Sequence, residues 1–357
     1  METWFFVVLT ITISLILKAI FNLFSPSKKL THSLPPGPFT FPVIGNILWL
    51  TKSFFQIEPI LRNLRKKYGP MVTLHIGSRP SIFVFDRSLT HQALVQSGAL
   101  YSDRPKALPT SKIVTSNQHN ISSAPYGPNW RVLRRNLTSE ILHTSRIKSY
   151  SHARKWVLDI LFGELQSKAK TGESVQVLTH FQYAMFWVVG NGGEIKEDDL
   201  QKMPYLKAVI LEGLRRHPPG HFVLPHSVNE DTVLGDYLVP KNGTINFMVA
   251  EMGWDPKLWE DPMAFKPERF LKSKDGSGEV IDITGSREIK MMPFGAGRRI
   301  CPGLGLALLH LEYFVPNLVW RFEWKGVDGD EISLEEKQEF TVVMKNPLMA
   351  HISPRKI

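Results

Sequence analysis

Phe294-Gly-Ala-Gly-Arg-Arg-Ile-Cys-Pro-Gly303 is the stretch on which the reading of this chain turns. It contains Cys301, the only cysteine in 357 residues. Gly295 and Gly297 permit a tight turn and a close backbone approach that a side chain would block. Arg298 and Arg299 supply cations suited to carboxylates or phosphates. The following run, Gly303-Leu-Gly-Leu-Ala-Leu-Leu-His-Leu-Glu-Tyr-Phe314, reads as a helix with Pro302 at its first position, where a missing N–H is no loss. Cys301 is then expected at a helix N-terminus, where the dipole favours a thiolate. Such a thiolate serves as a nucleophile, a metal ligand, or a small buried side chain. A dinucleotide loop of the form G-x-G-x-x-G fails, because Ile300 stands where the third glycine is needed. C-x-x-C, C-x-x-C-H and H-E-x-x-H are absent, which excludes zinc and c-type haem patterns.

Lys and Arg number 43 against 33 Asp and Glu, a formal net charge of +10. An excess of this sign suits an anionic membrane surface, an acidic protein partner or nucleic acid. No nucleic-acid motif and no dense basic block occurs, so membrane and acidic partner remain. Apolar residues at 43% are enough for a substantial core. A single cysteine precludes an intramolecular disulfide and fits a reducing compartment.

Trp4 to Leu17 carries no charge, Lys18 interrupts, and Ala19 to Phe24 resumes the apolar run. Together they are long enough to cross a bilayer of ~30 Å with Lys18 snorkelling. A cleaved signal peptide would want a basic start and a small-residue cleavage site; the chain begins Met1-Glu2 and shows no A-x-A. Lys28 and Lys29 follow, placing the bulk of the chain in the cytosol by the positive-inside rule. The expected organisation is a membrane anchor over 1–27, a basic, proline-rich hinge over 28–45, and a globular body over 46–357. Leu34-Pro-Pro-Gly-Pro38 makes the hinge stiff and extended.

Within the body, Leu61 to Gly69 is predicted as the end of a helix, Met71 to Ile76 and Ser81 to Phe85 as a β-hairpin, and Arg87 to Gly98 as a short helix. Tyr101 to Pro128 reads as a long loop. Trp130 and Arg134 stand four apart on one helical face. Helical spacing continues through Ala153 to Leu165, and Gly190-Asn-Gly-Gly193 interrupts the chain. Leu206 to Arg216 is a helix containing Glu212 and Arg215. Asp231 to Phe247 alternates around the turn signal Lys241-Asn-Gly243, which predicts a hairpin. Glu339 to Met344 is a late strand.

Phe294, Gly297, Arg299, Cys301 and Gly303 satisfy F-x-x-G-x-R-x-C-x-G, which resembles the haem-binding loop of the cytochrome P-450 family, the haem-thiolate monooxygenases. The resemblance implies a mainly α fold with a small β part. It makes Cys301 the proximal ligand of haem b (iron protoporphyrin IX), whose electron donation favours O–O cleavage. It pairs Arg299 with a haem propionate and gives Trp130 and Arg134 as further propionate donors. His226, in Leu224-Pro-His226, is a candidate for another donor, with a plain structural role as the alternative. Glu212, Arg215 and Arg269 (in Pro267-Glu-Arg-Phe270) would form a buried triad supporting the haem loop. The implied activity is insertion of one oxygen atom from O2 into a lipophilic small molecule. Electrons would come from an NADPH-dependent reductase, in a single-pass protein of the endoplasmic reticulum membrane.

One part of the family pattern is missing. The distal helix of the family carries an acid–alcohol pair in an A-G-x-D/E-T-like motif, and no such motif is found, so no catalytic residue is assigned. Asp198-Asp199 is not followed by Thr. Trp130 and Glu212 are 82 positions apart (212 − 130), leaving the chain short by on the order of 100 residues against the family's domain size. The seam falls near 188–193. The alternative reading is therefore a shortened, inactive relative, from splicing or a faulty gene model, that binds haem weakly or not at all. Pro316 either kinks the helix after Cys301 or ends it.

Overall fold

The computed structural model describes residues 3–24, 32–39, 54–76, 79–177, 195–271, 281–327, 333–339 and 341–355. Helix α1 covers Thr3–Phe24. Its residues from Trp4 to Lys18 are exposed, and among the described residues no helix is long and apolar enough to cross a membrane. The proline segment is extended but docked: Pro36 O accepts from Thr73 N at 2.9 Å and Ser33 O from Leu238 N at 2.9 Å. A Cβ at Gly37 would stand 2.0 Å from Thr73 O, so this glycine is what lets the strap lie on the body.

Helix α2 (Phe54–Tyr68) ends at Gly69, whose φ of 97° breaks the helix. Strands β1 (Met71–Ile76) and β2 (Arg79–Val84) pair antiparallel, with Met71 opposite Val84. Their period of two is used on both faces. Met71, Ile82 and Val84 enter the larger sheet core, while Val72 and Leu74 pack with Leu61 beneath α2. Helix α3 (Arg87–His91) is capped by the Asp86 carboxylate and passes into a π-helical turn over Gln92–Gln96. The expected long loop contains a short helix, α4 (Pro109–Val114). Helices α5 (Pro128–Asn136), α6 (Thr144–Ser149) and α7 (Ser151–Thr171) and strand β3 (Val175–Val177) follow. The predicted interruption at Gly190–Gly193 lies outside the described residues.

Helix α8 (Pro204–Arg216) leads to β4 (His226–Ser227), β5 (Thr232–Leu234), β6 (Tyr237–Val239) and β7 (Thr244–Phe247). The sheet order is β1-β2-β7-β4, with β2 and β7 parallel. The predicted hairpin at Lys241-Asn-Gly243 is therefore corrected. That turn redirects the chain, with Asn242 at φ 60°, but the strands on either side of it pair elsewhere. The hairpin is β5–β6, turning at Gly235 and Asp236, where Gly235 takes φ 58°. Pairing of β7 with β2 and β4 takes the strand after Lys241-Asn-Gly243 away from β6, so the hairpin closes at the earlier turn.

Helix α9 (Val249–Gly253) precedes the cysteine loop, and α10 (Leu304–Arg321) follows it. Pro302 is not the first helical residue: Gly303 is the N-cap and Cys301 lies two residues before it. Pro316 does not end α10. Asn317, buried beside it, donates to Tyr313 O at 2.9 Å and Ile195 O at 3.0 Å and accepts from Ile195 N at 3.0 Å. That side-chain clamp holds the turn the proline weakens. Strands β8 (Phe322–Gly326) and β11 (Leu348–Pro354) form a sheet with β3, and β9 (Glu336–Gln338) pairs with β10 (Val342–Met344). The late strand thus begins at Val342 rather than Glu339. Leu158 and Phe162 of α7, Leu206, Ile210 and Leu214 of α8 and Tyr313 and Val319 of α10 share the second large core.

Candidate functional site

The cysteine loop is built from local bonds. Cys301 N donates to Phe294 O at 2.9 Å, Gly295 N to Met292 O at 2.9 Å, and Ile300 N to Gly297 O at 3.1 Å. Gly297 has φ 69°, and a Cβ there would stand 1.9 Å from Leu94 O. Its requirement is thus contact with the π-helical turn at Gln92–Gln96. Gly303 meets no such obstacle; a Cβ would be 3.8 Å from Cys301 Sγ.

Cys301 is exposed and opens on a cavity of about 380 Å³. Trp130, Arg134, His226, Phe294 and Arg299 line the same cavity, together with Arg104. Gly297 and Gly303 do not line it and serve the loop's path instead. Arg134 donates to Ile300 O at 2.7 Å, which fixes the carbonyl preceding Cys301. Arg299 donates to Ser102 O at 2.8 Å and Ala124 O at 2.7 Å, and its guanidinium stacks 4.5 Å from the Trp130 ring. Trp130 Nε1 donates to Ile121 O at 3.1 Å.

Arg104 went unread inside the predicted loop, since a single Asp-Arg pair in a polar segment carries no local signal. It donates to Ser122 O, Leu224 O and Pro225 O at 2.8–2.9 Å. Burial, and then Arg299, lower its pKa to about 9 against the opposing charge of Asp103. Burial likewise lowers Arg299 to about 10, and Arg134 adds repulsion. Burial also lowers the Arg134 pKa, opposed by the charge of Cys301.

His226 is held differently. Burial, with repulsion from Arg104, lowers its pKa to about 3, so the ring is neutral. Its Nδ1 donates to Tyr101 O at 2.6 Å. A neutral imidazole has one N–H, so its other nitrogen is left as an acceptor. A donor role for His226 would need a second proton, which the neighbouring cations oppose.

Behind the loop lies the triad. Arg215 pairs with both oxygens of Glu212 at 2.6 and 2.8 Å, fully buried, and Arg269 Nε lies 3.4 Å from Glu212 Oε1. Arg215 also donates to Gly253 O and Pro262 O and stacks on Trp259 at 5.2 Å. Trp259 in turn donates to Met252 O and Lys290 O, so the network reaches the strand of chain that enters the cysteine loop.

The arrangement has a defined chemical preference. Guanidinium groups converging on a partly apolar cavity are stabilised by an anionic guest, and a thiolate on the same wall is a soft iron donor. These residues fit an iron porphyrin bearing two carboxylates. Among the described residues no group of three or more His, Cys, Asp or Glu is placed to hold a bare metal ion.

Comparison with known proteins agrees. The family model for Cytochrome P450 matches residues 35–191 and 187–352. Cytochrome P450 89A9 of Arabidopsis thaliana is 41% identical over 511 residues, covering 99% of this chain and 98% of its own. Flavonoid 3'-monooxygenase of the same plant is 40% identical over 171 residues, 47% of this chain and 33% of its own. The 5-epiaristolochene 1,3-dihydroxylase of Nicotiana tabacum is 22% identical over 490 residues, 92% of this chain and 94% of its own. The chain belongs to the cytochrome P450 family. Membership brings with it a haem cofactor and a monooxygenase class of oxidoreductase.

The alignment to Cytochrome P450 89A9 is longer than the chain itself, so at least 154 of its positions (511 − 357) have no counterpart here. The two family blocks meet at residues 187–191, the seam expected from the sequence. The chain is thus a cytochrome P450 shortened internally.

Proposed function

We propose that Cys301 would ligate the iron of haem b, with Arg104, Arg134 and Arg299 holding its propionates and Trp130 orienting two of those arginines. The supporting observation is that these residues, drawn from three separate parts of the chain, line one cavity. Bound there, haem supplies an oxygen-activating iron whose thiolate ligand favours O–O cleavage. The protein's own part is positioning. Arg134 fixes the Ile300 carbonyl, Gly297 seats the loop on Leu94, and the Glu212–Arg215–Arg269 triad stiffens its approach. Leu94, Phe222, Val223 and Val249 give the cavity apolar walls that exclude water and accept a lipophilic guest.

The substrate class follows the same reading: a lipophilic small molecule receiving one oxygen atom, in keeping with the hydroxylase and monooxygenase names of the relatives. Electrons would come from an NADPH-dependent reductase. The exposed apolar side chains of α1 and the basic residues after it support an endoplasmic reticulum anchor over 1–27 with a hinge over 28–45. Haemin titration of the full chain tests the ligand assignment. Cys301→Ala is expected to lose the thiolate-type spectrum, and an unchanged spectrum would overturn it.

A second reading is favoured by the 154 unmatched positions and by the lack of an acid–alcohol motif in the sequence. On that reading the chain keeps the haem-loop landmarks without controlled proton delivery, and turns over slowly or not at all. Weak or absent haem binding, with no product in the presence of reductase, is its expected signature.

A further inference from the structure

The segment from Pro219 to His226 forms one wall of the Cys301 cavity, through Gly220, Phe222 and Val223 among others. His221 is the member that turns the other way. It is buried, at 6% exposure, and its ring meets Trp254 edge-on at 5.2 Å. Nδ1 lies 2.8 Å from Glu58 Oε2 on α2. Nε2 lies 3.1 Å from Glu336 Oε2 on β9, an ion-pair contact outside hydrogen-bond geometry. The other oxygen of Glu336 is 2.6 Å from His217 Nδ1, and Arg62 holds Glu58. Two elements distant in sequence, α2 and β9, are thereby pinned to one imidazole, which does not itself line the cavity. Val342 N, donating to Pro219 O at 2.8 Å, and Val249 N, donating to His221 O at 2.8 Å, fix the same segment's backbone.

We propose that His221, clamped between Glu58 and Glu336, is a positioning residue that sets how far Gly220–Val223 protrude toward Cys301, and so the size of apolar guest the cavity admits. This rests on the reading of that cavity as the binding site. Two carboxylates on one buried imidazole, each held in turn by a further cation, Arg62 or His217, tie the segment to both neighbours at once. A wall held this way resists displacement by a bulky guest.

Cys301 is the only thiol in the chain, which gives a readout independent of haem. The haem-free full chain is alkylated with N-methyl-, N-phenyl- and N-pyrenylmaleimide, and the ratio of large- to small-reagent rates is taken. Variation in thiol ionisation cancels in that ratio. His221→Gln is expected to raise the pyrenyl-to-methyl ratio on the order of tenfold, the size of coupling found within one ion-pair network. Glu336→Gln should raise it similarly, and the double variant no further. Where His221→Gln does not fold, Glu336→Gln, which keeps shape and removes only charge, carries the same test. A merely structural role would lower the melting temperature and leave the ratio as in the parent, and that result in the folded variants overturns the proposal. Asn317→Ala, remote from the cavity, is the destabilised control whose ratio should not move. A raised ratio in a chain that shows no thiolate-bound haem would keep the clamp and reject the haem reading; the reverse pattern would reject the clamp alone.

Discussion

The two sides of α10 differ in how completely they are covered. Toward the cysteine loop, every arginine of the site has carbonyl or carboxylate partners, and the Glu212–Arg215 pair is wholly buried. On its outer face, α7 leaves Trp156 64% exposed, with Val157 and Ile160 beside it at 46% and 45%. Leu308, Leu309 and Leu311 of α10 are only partly buried. The described residues flanking the seam are pinned: β3 pairs with β11, and Ile195 is held by Asn317. Ile195 packs with Leu158 and Phe162 in the second core, on the buried face of α7. The difference teaches that support for the cysteine loop lies within the two retained blocks, while the outer face of α7 contributes little to it.

The largest expected effect falls on the covered side. Glu212→Ala leaves Arg215 and Arg269 facing a buried void and should cost about 3–5 kcal/mol in urea unfolding; a loss under about 1 kcal/mol would show that the triad carries little. Next, Gly297→Ala places a methyl group against Leu94 O at a left-handed φ, an expected loss of about 3 kcal/mol. Gly305→Ala, with nothing within 4 Å of its added Cβ, should instead gain up to about 1 kcal/mol from helix propensity. Equal effects at the two glycines would break the argument from close approach.

A smaller effect is expected from pH. Burial opposes charge on His221, but Glu336 and Glu58 raise its pKa from 6.5 to about 9. Its contribution is full below pH 6.5 and is lost as pH rises through 9. Glu336, raised by burial but lowered further by His217 and His221, falls from 4.5 to about 2. Its contribution is full above pH 4.5 and is lost as pH falls toward 2. Thermal melts should therefore peak between those limits, and His221→Gln should flatten the alkaline fall. The smallest effect belongs to the uncovered flank: Trp156→Gln should change stability by no more than about 0.5 kcal/mol. A loss of several kcal/mol there would show that α7 is covered after all.

How much of this was legible follows from range. Cys301 with its glycines, Trp130 with Arg134, and Glu212 with Arg215 are short-range patterns, and each keeps its spacing on a loop or helix. Arg104 and the His221 clamp are not short-range. Glu58 and His221 meet across 163 positions, and no window along the chain joins them. The misplaced hairpin shows a different limit: Gly235-Asp236 and Lys241-Asn-Gly243 are both good turns, and only tertiary pairing of β7 with β2 decides between them. Pro302 failed as a helix start because Gly303, free of a side chain, takes the cap.

The most direct test of the claim that the two retained blocks build a thiolate-held haem site is a carbon monoxide difference spectrum. It would be taken on the reduced, membrane-bound protein with haem quantified alongside. The expected result is the red-shifted Soret band of thiolate–iron–CO, absent from Cys301→Ala. Lack of haem, or a band typical of lost thiolate ligation in the parent chain, would contradict it.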